Sequence, residues 1–166
     1  MNNMGTRGVL GIKKRGEIKC SYNHYDSYFK GGLGEDIVKT LNNIPKETRG
    51  KELSEVFDNI VLLNEEDIPT DEIIEYCKKW NVCDFSVSTR SEKDYYCLLR
   101  NTQGNLDIYL KGFKYMLDDR NFLNDNLFCE YGYIINLDEN TLDIYRFGHL
   151  DTQYSLFELD NIRYEE

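Results

Sequence analysis

The sequence predicts an α+β fold: an antiparallel sheet that uses strands from both termini, with helices from the middle of the chain packed on it. Three observations predict it. β-prone runs open and close the chain, helical periodicity fills the stretch between them, and 166 residues suit one domain with a two-layer core. No repeat, low-complexity tract or linker divides the chain, so residues 1–166 are read as a single domain.

Residues 8–12 and 17–24 are short β-prone runs on either side of Lys13-Lys14-Arg15-Gly16. Glycine there supplies the positive φ of a tight turn, which predicts an opening hairpin. After a glycine-rich joint at Gly31, Gly32 and Gly34, the apolar residues Ile37, Val38, Leu41 and Ile44 recur at helical spacing and stop before Pro45. A second helical face is Leu53, Val56, Phe57 and Ile60. A third is Ile73, Ile74, Cys77 and Trp80, with Asp71 and Glu72 early and Lys78 and Lys79 late, as the helix dipole favours. Ser91 followed by Asp94 resembles a capping box before Tyr95, Leu98 and Leu99. Leu106, Tyr109, Leu110, Phe113 and Leu117 keep helical spacing beyond Gly104, so two paired helices are expected. Residues 128–136 and 141–147 are aromatic and β-branched runs flanking the turn-rich Leu137-Asp138-Glu139-Asn140, and residues 154–159 predict one more strand.

Composition narrows the function. Twenty Lys and Arg against thirty Asp and Glu leave a net charge of −10, which repels nucleic-acid phosphates and anionic lipid. General nucleic-acid binding and membrane association are therefore not expected. No secretory signal is read at the N-terminus, and a cytoplasmic location is expected. Cys20, Cys77, Cys83, Cys97 and Cys129 are odd in number and form no C-x-x-C pair, and only His24 and His149 could assist a metal. They read as free, buried thiols with no metal and no cofactor. Alanine is absent while Asn, Ile, Lys and Tyr abound, a bias that helix propensity does not demand and that points to an AT-rich genome of a bacterium or its phage. Residues 1–33 hold six basic side chains against Glu17 and Asp26, a net of +4. Local charge dominates within a Debye length of about 8–10 Å, so an anionic ligand can dock there despite the overall sign.

The densest set of functional side chains is Tyr22-Asn23-His24-Tyr25-Asp26-Ser27-Tyr28, directly before the glycine joint. On an extended strand Cys20, Tyr22 and His24 share one face, offering a phenol and an imidazole together. Backbone N–H groups at the glycine turn could receive an anion, with Asn23, His24 and Asp26 orienting it. Arg7 is expected on the partner strand. Glu130 is the other odd residue, a carboxylate in an apolar run that needs a partner such as Arg7 or a pocket. The candidate ligand-binding set is Arg7, Tyr22, Asn23, His24, Asp26, Ser27, Tyr28 and Glu130, with no catalytic residue assigned.

The segments Gly5-Thr6-Arg7-Gly8, Tyr22 to Tyr28, Tyr96-Cys97-Leu98-Leu99-Arg100 with Thr102-Gln103-Gly104, and Leu127-Phe128-Cys129-Glu130-Tyr131 with Ile134-Ile135-Asn136-Leu137-Asp138 together resemble a family of small phage-encoded proteins. The resemblance covers nearly the whole chain. Some relatives open Met-Cys-Thr-Arg-Gly, similar to N-terminal nucleophile hydrolases, in which the first residue attacks an amide and its own amine is the base. Here Met1, Asn2 and Gly5 supply no nucleophile, and Thr6 does so only after a further cut. Phe29 stands where relatives often carry proline. The polar cluster and the net charge of −10 lead to one expected function, a phage-type accessory protein that binds, either sequestering a small anionic, nucleotide-like signal or masking a host protein in counter-defence. The other implied function is amide hydrolysis by Thr6, Cys20 or Cys129, with His24 as base and Arg7 or Asn23 stabilising an oxyanion.

Overall fold

The computed structural model describes residues 6–164. In chain order the strands are β1 (Gly8–Lys14), β2 (Glu17–Asn23), β3 (Val61–Leu63), β4 (Tyr115–Leu117), β5 (Tyr131–Asn136), β6 (Thr141–Arg146) and β7 (His149–Ser155). The helices are α1 (Leu33–Asn42), α2 (Lys46–Asn59), α3 (Asp71–Lys79), α4 (Tyr95–Leu98), α5 (Leu106–Leu110) and α6 (Arg120–Leu123). Five strands form the main sheet in the order β2-β1-β5-β6-β7, and β3 pairs with β4 in a small second sheet. The class is α+β, with sheet strands drawn from both ends of the chain.

Period-two alternation separates two cores. Leu10, Ile12, Tyr133, Ile135, Leu142 and Ile144 face the main core with α1, α2 and α3, whereas Val9, Cys20 and Ile134 face a smaller cluster under Leu123 and Cys129. Both two-residue hairpin turns, Arg15-Gly16 and Phe147-Gly148, have positive φ at each position, the pattern of a type I′ turn that matches strand twist. Asp138 accepts the Arg15 and Gly16 N–H groups at 2.7 and 2.9 Å, pinning the first turn to the β5–β6 loop. The basic residues of this hairpin are largely engaged: Lys14 pairs with Asp58 at 2.8 Å, and Lys19 donates to the carbonyls of Phe57 and Ile60 at the end of α2. Arg49 is 1% exposed and has no carboxylate partner among the described residues. Its guanidinium donates to Ile44 and Leu156 carbonyls, tying the α1–α2 corner to the chain after β7.

Four expectations are corrected. The sheet is mixed, because β1 and β5 run parallel while the other three pairings are antiparallel; the long helical crossover between β2 and β5 is what a parallel neighbour requires. Tyr115 to Leu117 form β4 beside β3 and not a helix, since Gly112, at φ 110°, breaks the helical run after Leu110. Asp94 and not Ser91 caps α4, accepting the Tyr96 N–H, and Ser91 lies in a 3-10 turn. The last strand begins at His149 and not at 154, because its polar, exposed edge carries little apolar signal. No helix among the described residues is long and apolar enough to cross a membrane.

Candidate functional site

β2 lies at the edge of the sheet, and its outer side is occupied. The N–H of Asp119 donates to the Cys20 carbonyl at 3.0 Å, and the Tyr22 N–H donates to Asp119 Oδ2 at 2.8 Å. One residue past the strand, the His24 N–H donates to Gln103 Oε1 at 3.0 Å, and Arg100 Nη1 reaches the same oxygen at 3.3 Å. Two segments far apart in sequence, the turn at 100–103 and the residues opening α6, thus close around the end of β2. Between them lies a cavity of about 210 Å³ whose walls include Tyr22, Tyr96, Phe122, Gln103, Asp119 and Glu65.

The phenol of Tyr22 and Nδ1 of His24 hydrogen-bond at 2.8 Å, so the two side chains expected on one face are together. Burial, then the charges of Arg100 and Arg7, lower the His24 pKa below the ordinary imidazole value, which favours the neutral ring at neutral pH. Burial raises the Tyr22 pKa and Arg7 opposes it. Arg100 meets His24 through Gln103, and Arg7 directly precedes Gly8, the residue that β1 pairs with Asn23, which sets it across from His24. The Arg100 guanidinium stands over the rings of Tyr25 at 5.1 Å and Tyr96 at 5.6 Å, and its Nε is buried with no hydrogen-bond partner among the described residues. Desolvation raises the Asp119 carboxyl from 3.8 to about 6, against the Tyr22 N–H, which lowers it. Basic groups thus flank a cavity whose own wall is acidic and aromatic.

The other candidates divide. Asn23 is buried and braces the loop, donating to the Tyr25 carbonyl and to Ser27 Oγ at 2.6 and 2.9 Å. Ser27 is fully buried and its carbonyl accepts the Tyr133 hydroxyl at 2.7 Å. Their surroundings give both a supporting role. Asp26 is exposed at φ 47°, and its side chain bonds no cation among the described residues. Its carbonyl accepts the Leu33 N–H at 2.7 Å, while Tyr28 accepts Gly34 N–H and Glu35 accepts Gly31 N–H. Three of the N–H groups of the glycine turn and the first turn of α1, those of Gly31, Leu33 and Gly34, thus already have acceptors within the chain. Tyr28 faces away to a different groove shared with Tyr131, Arg146 and Tyr154. Glu130 is half-buried and accepts the Arg7 N–H at 3.4 Å, pairing with the backbone of that residue and not its guanidinium, which lies over Phe128.

The hydrolytic groups stand differently. Met1, Asn2 and Gly5 lie outside the described residues, and Thr6 is 2% exposed. Burial raises the thiol pKa of Cys20 and pushes that of Cys129 up to about 12, so both are protonated at neutral pH. Neither thiol contacts His24, whose Nδ1 is engaged by Tyr22.

Asp119, Glu65, Tyr96 and Gln103 line the cavity and Arg100 stands at its margin, and none of the five is in the candidate set read from the sequence. Arg100 and Gln103 sit in the segments that carry the phage-family resemblance, which was the available signal. Asp119 carried none, since Asp118-Asp119 reads as an ordinary solvated turn. Compared with models of protein families, with curated proteins and with solved structures, the chain matches none.

Proposed function

We propose that this protein binds a small anionic, ring-bearing ligand of nucleotide-like chemistry at the end of β2, without turning it over. One observation carries the reading: Arg100, with an unpartnered buried Nε, stands with Arg7 and a neutral His24 beside an aromatic-walled cavity. A buried N–H with no acceptor costs on the order of 1–3 kcal/mol, and a bound anion near the guanidinium relieves such a cost. Aromatic walls with a few polar groups are the usual composition of small-ligand sites. The protonated state of the buried thiols favours binding over nucleophilic attack. In the phage setting that the resemblance implies, capture of such a ligand would deprive a host defence of its signal.

The test is calorimetric titration of the full chain with inorganic phosphate, ribose 5-phosphate and the nucleoside 5′-monophosphates. At least one phosphate ester should bind, more weakly as salt rises, and Arg100→Met should weaken it roughly tenfold or more, the worth of a charged hydrogen bond. Absence of binding by every probe, or equal binding by Arg100→Met, refutes the proposal.

A further inference from the structure

We infer that the cavity beside β2 takes an amino-bearing nucleobase and leaves the ligand's phosphate outside, on the side of Arg100 and Arg7; this rests on the binding reading above. The sign of the lining sets the orientation. Two carboxylates, Glu65 and Asp119, line the cavity, and no lysine or arginine does. A phosphate placed inside would meet like charge in a poorly solvated space, whereas outside it meets two guanidinium groups. Arg100 meets the wall at Gln103 Oε1 and over the Tyr96 ring without lining the cavity itself, which places that charge at the margin.

Hydrogen-bonding capacity sets the class of ring. Asp119 uses Oδ2 on the Tyr22 N–H, and its Oδ1 has no hydrogen-bond partner among the described residues. Gln103 uses Oε1 twice, for His24 N–H and Arg100, and its Nε2 has no partner among the described residues. The cavity therefore offers a carboxylate acceptor and an amide donor. Adenine, cytosine and guanine each present an exocyclic amine beside an acceptor or a second N–H, and a carboxylate accepts from such an amine. An exocyclic amine carries two N–H groups for the two carboxylates, Asp119 and Glu65, whereas uracil has a single N–H between two carbonyls and turns a lone pair towards the second carboxylate. Tyr22, Tyr96 and Phe122 supply faces and edges for the ring, with Tyr22 and Phe122 already edge-on at 5.1 Å. At about 210 Å³ the space is below the roughly 300 Å³ at which sites begin to enclose a drug-sized ligand. It holds one ring system, not a whole nucleotide.

Titration of the full chain at pH 7.5 with AMP, GMP, CMP, UMP, ribose 5-phosphate and free adenine tests this. At least one amino-base nucleotide should bind roughly tenfold or more tightly than both UMP and ribose 5-phosphate, the margin of a charge-assisted hydrogen bond. Asp119→Asn should erase that margin while ribose 5-phosphate still binds. Glu65→Gln is the second variant, because Glu65 is exposed and its side chain bonds nothing among the described residues; it should shrink the margin several-fold with the fold untouched. Equal binding of all five phosphate esters, or an undiminished margin in both variants, overturns the base assignment and leaves anion binding standing. Adenine binding as tightly as AMP overturns the phosphate's position. No binding by any probe removes both proposals together.

Discussion

Burial holds the Asp119 carboxyl at about 6 against an ordinary 3.8, with the Tyr22 N–H opposing and Glu65 and Asp118 adding to the rise. Between those two values the folded chain keeps a proton that the unfolded chain has released. Stability therefore falls as pH climbs through this window and is flat above it. At neutral pH the charged carboxylate costs the fold on the order of 3 kcal/mol, since each pKa unit is about 1.36 kcal/mol. Asp119→Asn removes that cost and keeps the shape. The preference of the Tyr22 N–H for the charged form is already contained in the value of about 6, so nothing further is subtracted.

The expectation is a variant about 3 kcal/mol more stable than the wild type at pH 7.5 and close to it near pH 4. Urea unfolding of both proteins, followed by Trp80 fluorescence from pH 4 to 8, measures the gap directly. Every other titrating group is common to both chains, so the difference isolates Asp119. A gap that is constant with pH, or a variant less stable at pH 7.5, would show that Asp119 is not a buried carboxylate under strain. Together with loss of amine-dependent binding, the expected result would place a group in the cavity that costs stability and serves a ligand.

Four further measurements follow from the same geometry. Arg49→Met leaves the Ile44 and Leu156 carbonyls without their buried donor and should destabilise by about 3 kcal/mol in urea unfolding; under 1 kcal/mol would show that the donor is dispensable. Gly8→Ala places a methyl 2.6 Å from Ser27 Cβ and 2.7 Å from the Tyr131 carbonyl and should cost roughly 2 kcal/mol or more. Gly50→Ala, in α2 with nothing within 4 Å of the added carbon, should gain up to about 1 kcal/mol; equal effects at the two sites would defeat the packing argument. The His24 ring should titrate below the ordinary histidine range by NMR, and Arg100→Met should move its midpoint upward because that cation lowers it. With a thiol reagent under native conditions, half-buried Cys83 should react ahead of the other four cysteines, which are buried; early modification of Cys20 or Cys129 would reopen the thiol mechanism.

The fold was legible wherever one-sided burial imprints a period on the sequence. Ile37, Val38 and Leu41 all enter the core from α1, and Ile134 and Ile135 split between the two faces of β5 as alternation requires. The signal failed where burial is weak or two-sided. β7 is a polar edge, and Tyr115 to Leu117 satisfy a helical spacing and a buried strand equally well. Parallel pairing of β1 with β5 is invisible to any local pattern, because it is decided by where a crossover of more than a hundred residues returns.

The site shows the same division between local and distant information. Tyr22 lies on β2 and His24 one residue past its end, where the extended chain keeps the alternation that brings the two side chains together. Asn23 and Ser27 clustered with them in sequence, but burial turned both inward, where they hold the loop. The carboxylate foreseen beside the imidazole was Asp26, which the positive φ of its turn leaves exposed. The carboxylates lining the cavity are Glu65 and Asp119, the latter brought in from 95 residues beyond His24 because its backbone completes the open edge of β2. That edge had to be covered, since an unpaired strand edge is a liability. Covering it with a segment that carries a carboxyl group gave the cavity its acidic wall. The pocket's chemistry is in this sense a by-product of how the sheet closes its edge, which explains why the strand was readable from the sequence and its opposite wall was not.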